Sequence, residues 1–246
     1  MTALSPALRS EWVKIRSLRG TASALIAVFA LTLVISVLVF ATIGRSEADS
    51  PDYDPVFMAF YALNFAQVAA IYFGTAAFSS EYRNGALQVS LAAVPNRDRF
   101  YLAKMTSIGV PVLVVGLVTS FTAFLTSQAF MGEYAIGLGE PGALRACVGA
   151  GIYLALMALF AAGLTAVLRS GLIALSIIIP FMLVVSFVVG DLSAGIAEYL
   201  PDRAGQQVLR QHATGSLGPW GGLAVTAAWA AAAQLAGWWC VRRRDA

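Results

Sequence analysis

Few residues of this 246-residue chain could carry out acid–base, nucleophilic or metal chemistry. It has one histidine, His212, and two cysteines, Cys147 and Cys240, which lie in separate apolar runs. The predicted topology places these cysteines near opposite faces of a membrane, so they act as small hydrophobic residues and no disulfide is expected. No metal cluster can form around them with a single histidine, and no metal site is predicted. The lysines Lys14 and Lys104 lie outside any Gly-x4-Gly-Lys-Ser/Thr motif, so this chain is not expected to bind nucleotide phosphates.

An intramembrane hydrolase is the main enzymatic hypothesis, because His212 lies close in sequence to Ser216. A serine nucleophile needs an adjacent base, which is usually histidine. The segment around Ser216, however, reads Gly-Ser-Leu-Gly rather than Gly-x-Ser-x-Gly and is typical of a turn before a helix. Paired acids for aspartyl catalysis and acids for ion relays are missing from the predicted spans. The chain is therefore predicted not to be an enzyme.

Uncharged polar residues inside the apolar stretches are the remaining candidates for chemistry. Asn64 and Gln67 are three residues apart, share one helix face and have Tyr61 nearby, while Pro180 interrupts a later stretch. Two interpretations stay open: hydrogen bonds between packed helices, which are common in membrane bundles, or a substrate cavity. Tyr61, Asn64, Gln67 and Pro180 are the candidate cavity residues.

The elements that must position these residues are membrane helices. The chain is 59% hydrophobic and only 12% charged, about half the charged share of a soluble domain. Six stretches free of Asp, Glu, Lys and Arg are long enough to cross a hydrocarbon layer of about 30 Å. They are 20–44, 56–80, 105–132, 146–168, 170–190 and 213–241. The predicted fold is all-α, one integral membrane domain over residues 1–246 with six transmembrane helices.

The basic residues predict the orientation of these helices. With the N-terminus in the cytoplasm, the inner segments hold twelve of the sixteen Lys and Arg residues, and the outer segments hold nine of the thirteen acids. This predicts a multi-pass protein of the cell membrane with both termini cytoplasmic. Residues 1–19 are predicted to lie in the cytoplasmic interface, because Leu4, Leu8, Trp12 and Ile15 recur at helical spacing. A basic flank that only sets topology is the alternative.

Two polar segments have patterns of their own. Residues 191–212 are predicted to form short outer helices between the fifth and sixth spans, or else an ordinary loop. Residues 80–104 form a basic island, in which Gly85 ends the preceding helix and 86–94 form a short helix. The apolar side of that helix, Leu87, Leu91 and Val94, is expected to be exposed for a cytoplasmic partner, with Lys104 held at the membrane interface. The alternative is a loop that only determines the membrane topology and packs against the helices of this chain.

The basic island also resembles a known family motif. The run Glu81-Tyr82-Arg83-Asn84-Gly85-Ala86-Leu87, followed by Val94-Pro95-Asn96-Arg97 and Ala103-Lys104, resembles the Glu-x-Arg-x-Gly-Thr loop of ABC-2 type permeases. These are the membrane subunits of two-component ABC exporters, and Ala86 stands where they commonly have Thr. The basic segment 11–19, the six spans and the stretch 199–206 extend the resemblance over the whole chain. Its fourteen arginines against two lysines resemble an actinobacterial member.

The resemblance implies an architecture and a set of contacts. Residues 7–19 would be the connecting helix, and 80–97 would include a coupling helix seated in a cleft of a separate ATP-binding subunit. Two permeases, either copies or homologues, would pair around a path lined mainly by helices two and five. The residues that would transmit motion from the ATPase are Glu81, Tyr82, Arg83, Leu87, Pro95 and Arg97.

The expected function is that of a permease subunit in an ATP-driven exporter. Because the path carries few charges, we expect an amphipathic or hydrophobic substrate, such as an antibiotic, a peptide or a lipid. ATP and Mg²⁺ would be bound by the partner, and this chain would bind no cofactor. The expected partners are a cytoplasmic ABC ATPase, a second permease and membrane lipids, with no nucleic acid. A non-transporting membrane anchor or sensor would use the same docking loop and is the alternative.

Overall fold

The fold is built from helices throughout the part of the chain that the computed structural model describes. These residues are 4–17, 19–50, 53–182, 194–212 and 216–243. In chain order the helices are α1 (Leu4–Ser17), α2 (Arg19–Thr42), α3 (Gly44–Glu47), α4 (Pro55–Ala59), α5 (Leu63–Ser79), α6 (Ala86–Ala93), α7 (Arg97–Met131), α8 (Ala143–Leu168), α9 (Gly171–Pro180), α10 (Ala194–Ala197), α11 (Pro201–Gln206) and α12 (Pro219–Arg243). Three 3₁₀ turns accompany them at Ser80–Tyr82, Gly132–Tyr134 and Gln207–Leu209.

Four of these helices, α2, α7, α8 and α12, are long and apolar enough to cross a membrane. The predicted second span is divided, because α4 ends at Ala59 and a turn over 60–62 separates it from α5, which has 17 residues. Of the predicted fifth span, α9 and a π turn at 181–182 are seen, and residues 183–190 lie outside the described part of the chain. The all-helical membrane class therefore holds, while a total of six spans stays a prediction.

Helix α7 extends the predicted third span, 105–132, back into the basic island. It begins at Arg97, where the Asn96 side chain accepts a hydrogen bond from the Arg99 amide at 3.0 Å and so caps the helix. Asp98 lies in the first turn, where an acid is favoured by the helix dipole. Pro111 is buried inside the helix, which continues to Met131. The 80–97 segment is therefore continuous with the end of a membrane-length helix.

The centre of the bundle is α8, which packs against α5, α7 and α12, while α2 packs against α5 and α7. Small residues allow these close approaches. Gly74 of α5 faces the Ala158 carbonyl of α8, and Gly163 of α8 faces the backbone of Ala233 in α12. Small residues at helix contacts let backbones approach closely in membrane proteins.

Replacing Gly74 with alanine is expected to force α5 away from α8. A Cβ at this position would lie 2.9 Å from the Ala158 carbonyl carbon and closer still to its oxygen, and backbone cannot rotate away as a side chain can. Overpacking of this kind costs about 1–3 kcal/mol, so the melting temperature of the purified chain should fall. Gly139→Ala is the matched control, because a Cβ there meets nothing within 4 Å. Equal melting temperatures for the two variants would contradict the close packing of α5 on α8.

One end of the bundle gathers most of the basic residues. We call it the basic end, and it consists of α1, the 80–104 segment, the 168–171 connector and the C-terminus of α12. Its parts are tied together: the Tyr82 hydroxyl donates to the Ala166 carbonyl at 3.1 Å, and an Arg97 nitrogen donates to the Val241 carbonyl at 2.8 Å. The opposite end carries α3, α10 and α11.

The opposite end is covered by short helices in the region 194–209. Pro201 begins α11 at a position where proline needs no amide hydrogen. Helix α11 and the 3₁₀ turn Gln207–Leu209 pack against α12 and α8. The Thr226 hydroxyl of α12 donates to the Pro201 carbonyl at 2.7 Å, which fixes this attachment.

Candidate functional site

Both lysines of the chain converge on the same pair of carboxylates at the basic end. Lys104 of α7 donates to Glu11 of α1 at 2.7 Å and to Glu81, next to the end of α5, at 2.6 Å. Lys14 donates to the same two carboxylates at 2.7 Å and 2.8 Å, and to the Ser90 hydroxyl of α6 at 3.1 Å. Ser90 donates in turn to Glu81 at 2.8 Å. We call these five residues the ion network.

The ion network is largely removed from solvent. Lys104 is 2% exposed, Glu11 4% and Glu81 1%, whereas the Lys14 side chain is 34% exposed. Two acids and two lysines balance in charge, which is the condition under which buried charges are tolerated. The network joins four separate elements: α1, the 3₁₀ turn after α5, α6 and α7. These elements are therefore expected to move together.

The burial of Lys104 corrects one expectation from the sequence. We expected Lys104 to lie at the membrane interface as part of a charged rim, but its ammonium group points inward. The reason is that two carboxylates from distant parts of the chain, Glu11 and Glu81, replace its hydration. Pairing of this kind offsets the cost of desolvating the ammonium group.

The predicted coupling residues occupy different environments. Glu81 is buried in the ion network and Leu87 is 8% exposed. Tyr82 and Arg97 are half-buried and bonded to the ends of α8 and α12, as described above. Of the six predicted coupling residues, the two on the protein surface are Arg83 and Pro95.

The outward face of α6 differs from the expected one. Leu87, Leu91 and Val94 pack against the hydrophobic core, so the prediction that this apolar side is exposed was wrong. Gly85 begins the helix in the left-handed conformation, with φ of 70°, and so turns the leucine side inward. Val89 instead faces outward with 71% exposure, beside the exposed Gln88 and Ala92. The surface that α6 offers to a partner is therefore centred on Val89.

The candidate cavity residues fall into two groups. Gln67 is 3% exposed and accepts a hydrogen bond from the Tyr153 hydroxyl of α8, while Asn64 is half-buried and accepts from Gln206 of α11 at 3.0 Å. Tyr61 is 43% exposed and Pro180 is also exposed. The amides thus join α5 to its neighbours inside the bundle, and Tyr61 and Pro180 face outward.

The residues of the hydrolase hypothesis are not assembled into a nucleophile–base pair. The Ser216 hydroxyl donates to the Glu198 carboxylate at 2.7 Å, and His212 is exposed. Among the described residues, no hydrogen bond joins His212 to Ser216, and no group of three or more His, Cys, Asp or Glu could hold a metal ion.

The charges of the ion network predict that the stability of the fold declines at both low and high pH. Burial alone raises the pKa of Glu81, but Lys104 and Lys14 outweigh it and lower that pKa below its ordinary 4.5. Burial alone lowers the pKa of Lys14, but the hydrogen bonds that its ammonium group donates to Glu11 and Glu81, together with their negative charges, raise that pKa above 10.5. An acid whose pKa is lowered by folding stabilises the fold at pH values above its pKa in the unfolded chain, and this contribution is lost as the pH falls through its pKa in the folded chain. A lysine whose pKa is raised by folding stabilises the fold at pH values below its pKa in the unfolded chain, and this contribution is lost as the pH rises through its pKa in the folded chain.

We therefore expect the melting temperature to decline below about pH 4.5 and above about pH 10.5, the ordinary values of these two groups. The Glu81→Gln variant isolates the acid limit. The melting-temperature difference between wild type and this variant should be largest between the two limits and shrink as Glu81 becomes protonated. A difference that stayed constant down to pH 3 would contradict an ionised Glu81 in the network.

Glu11, Lys14 and Ser90 were not selected as site residues from the sequence. A signal was available, because the chain uses arginine almost everywhere and lysine only at positions 14 and 104. Lysine carries a compact ammonium group that three acceptors can surround, whereas a guanidinium is planar and wider. Nothing in the sequence spacing, however, shows that α1 folds back onto α7.

Comparison with known proteins identifies the family to which the chain is similar. A family model described as ABC-2 family transporter protein matches residues 7–189. This match begins within α1 and includes the whole basic island and the ion network. Comparison with curated proteins found no match.

Proposed function

The chain belongs to the ABC-2 family of transporter proteins, and we propose that it is the permease subunit of an ATP-driven exporter. In this proposal a separate cytoplasmic subunit binds and hydrolyses ATP with Mg²⁺, and two permeases pair in the cell membrane. The basic end faces the cytoplasm, as the positive-inside rule favours. The substrate is an amphipathic or hydrophobic compound.

The observation that carries the proposal is the ion network. A permease without a catalytic site must receive work from another protein at a surface that is mechanically connected to its membrane helices. Helix α6 offers Val89 to the outside, and Ser90, the next residue, contacts Glu81 and Lys14 on its inner side. Through Lys104 the same network reaches α7, which has the length of a membrane span. A push on α6 is therefore passed to α1 and α7 together.

The exposed faces of α5 and α9 are proposed as the wall of the transport path. Helix α9 packs against α5. Tyr61 in the turn before α5, and Phe65 and Tyr72 of α5, are all more than 40% exposed, and Leu172 of α9 is 78% exposed. Three exposed aromatic residues along this part of the chain suit an amphipathic compound better than a bare ion. A second permease facing this wall would enclose the path.

Purification of the tagged chain from its own membrane, followed by an ATPase assay, tests the proposal. The expected result is a complex with a soluble subunit that carries a Gly-x4-Gly-Lys-Ser/Thr motif, and ATP hydrolysis that rises or falls when transported compounds are added. A stable complex that lacks any ATP-binding subunit would contradict the proposal and would favour a membrane anchor.

A further inference from the structure

A cavity of about 370 Å³ opens at the basic end between α5 and α9. It lies beside the ion network but contains neither its lysines nor its acids. Two arginines line it, Arg83 from the basic island and Arg169 from the α8–α9 connector. None of the described residues that line this cavity is acidic. Its volume is in the range of small-molecule sites, and its charge is positive. We call it the arginine cavity.

One of the hydrogen-bond donors around the arginine cavity is a buried hydroxyl. Thr75 of α5 lines the cavity and is 1% exposed, and its hydroxyl has no hydrogen-bond partner among the described residues. A buried hydroxyl without a partner is costly, so an acceptor oxygen of a ligand in this cavity would lower that cost. Ser79 and Ser170 line the same space.

The first turn of α9 adds backbone donors to the same cavity. Gly171 and Leu172, the first residues of this helix, both line it. The first amides of a helix have no acceptor within the helix, and the positive end of the helix dipole favours anions. Gly171 also sets the width of the opening, because a Cβ there would lie 2.8 Å from the Ser79 side chain.

The apolar side of the cavity continues onto the proposed path. Tyr72, Leu172 and Leu175 line it, and Tyr72 and Leu172 are exposed along the same face of the bundle as Phe65. A ligand that bonds to the arginines can therefore extend an apolar chain over these residues without leaving the surface.

We propose that the arginine cavity binds the anionic head group of an amphiphile, a phosphate or carboxylate, while the apolar part lies against Tyr72 and Leu175. This rests on the proposed function, in which α5 and α9 line the transport path, and it narrows the substrate class to amphiphiles with an oxyanion. Arginine binds such groups through paired, charge-assisted hydrogen bonds, and the Thr75 hydroxyl supplies a further donor.

A binding experiment tests this without the ATPase. The full-length chain is placed in nanodiscs of zwitterionic phosphatidylcholine, and octyl phosphate is titrated while the melting temperature is recorded. We expect saturable stabilisation, and none with octyltrimethylammonium. Arg169→Gln should weaken the apparent affinity by about tenfold or more, the loss expected for one charge-assisted pair. Thr75→Val should weaken binding while leaving the unliganded melting temperature unchanged or higher, because its hydroxyl bonds to no described residue.

Arg99→Gln is the matched control, since Arg99 is an exposed arginine of the basic end that does not line the cavity. It should bind octyl phosphate like the wild type. Equal loss in Arg99→Gln and Arg169→Gln would show a diffuse charge effect and overturn the proposal. Inorganic phosphate that stabilised the chain at the same concentration as octyl phosphate would overturn the amphiphile assignment. Binding that failed while an ATPase partner still co-purified would reject this inference and leave the proposed function standing.

Discussion

Lys104→Met is expected to destabilise the chain more than any other single change at the basic end. Methionine is nearly as long as lysine, but it has no ammonium group. Its introduction leaves the Glu11 and Glu81 carboxylates facing one remaining lysine. Removing one partner of a buried ion pair typically costs about 3–5 kcal/mol, because the other charge stays buried and uncompensated. We expect a large fall in melting temperature and, in a complex with the ATPase, loss of substrate-dependent hydrolysis.

Lys14→Met is the natural comparison, because it removes the other lysine of the same network. The Lys14 side chain is 34% exposed, so water can replace part of its contact with the acids. The expected cost is about 1 kcal/mol, closer to that of an exposed pair. Equal melting temperatures for the two variants would contradict the asymmetric burial of the two lysines.

A double variant separates charge balance from packing. In Lys104→Met combined with Glu81→Gln, one cation and one anion are removed together, and the pair of Lys14 and Glu11 at 2.7 Å remains. Neighbouring substitutions in one network are not additive, so the double variant should be more stable than Lys104→Met alone. A double variant less stable than either single one would show that packing, rather than charge balance, decides the cost.

Val89→Asp is expected to separate the permease from its partner while leaving its fold intact. Val89 is 71% exposed, and exposed substitutions usually change stability by no more than about 0.5 kcal/mol. In a docked complex, however, the new carboxylate would be desolvated at the centre of an interface. Loss of a central interface contact costs about 2 kcal/mol or more, which is roughly thirty-fold in Kd.

Two controls define this result. Leu87→Asp should unfold or misplace α6, because Leu87 is 8% exposed and packs on the core, so its melting temperature should fall. Ala135→Asp adds the same charge to an exposed residue at the opposite end of the bundle and should leave the complex unchanged. A Val89→Asp protein that still bound its ATPase at wild-type affinity would exclude the outer face of α6 as the docking surface.

The membrane class and the positions of the long helices follow from the sequence, because an uncharged stretch of about 20 residues has few alternatives to a membrane helix. The predicted fourth span, 146–168, differs from α8 (Ala143–Leu168) only at its first turn. The division of the second span over 60–62 could not be predicted, since Phe60, Tyr61 and Ala62 are all compatible with a helix.

The candidate site was only partly predictable. The basic island could be found by its charge and its resemblance to the family, and Glu81 was selected there. Lys104 lies 23 positions from Glu81 and 93 positions from Glu11 along the chain, so nothing in the local sequence around Glu81 indicates this network. Periodicity within α6 located its apolar side, yet it could not decide whether that side faces the core or a partner. That choice depends on the turn at Gly85 and on contacts across the bundle.

Site-specific photocrosslinking from position 89 tests the central claim most directly. A photoreactive amino acid replaces Val89 in the full-length chain, which is irradiated in its own membrane, and the same residue at position 135 serves as the control. We predict an adduct between position 89 and a soluble ATP-binding subunit, and none with that subunit from position 135. An adduct with the ATP-binding subunit from position 135 but not from position 89 would contradict the proposed orientation and docking surface.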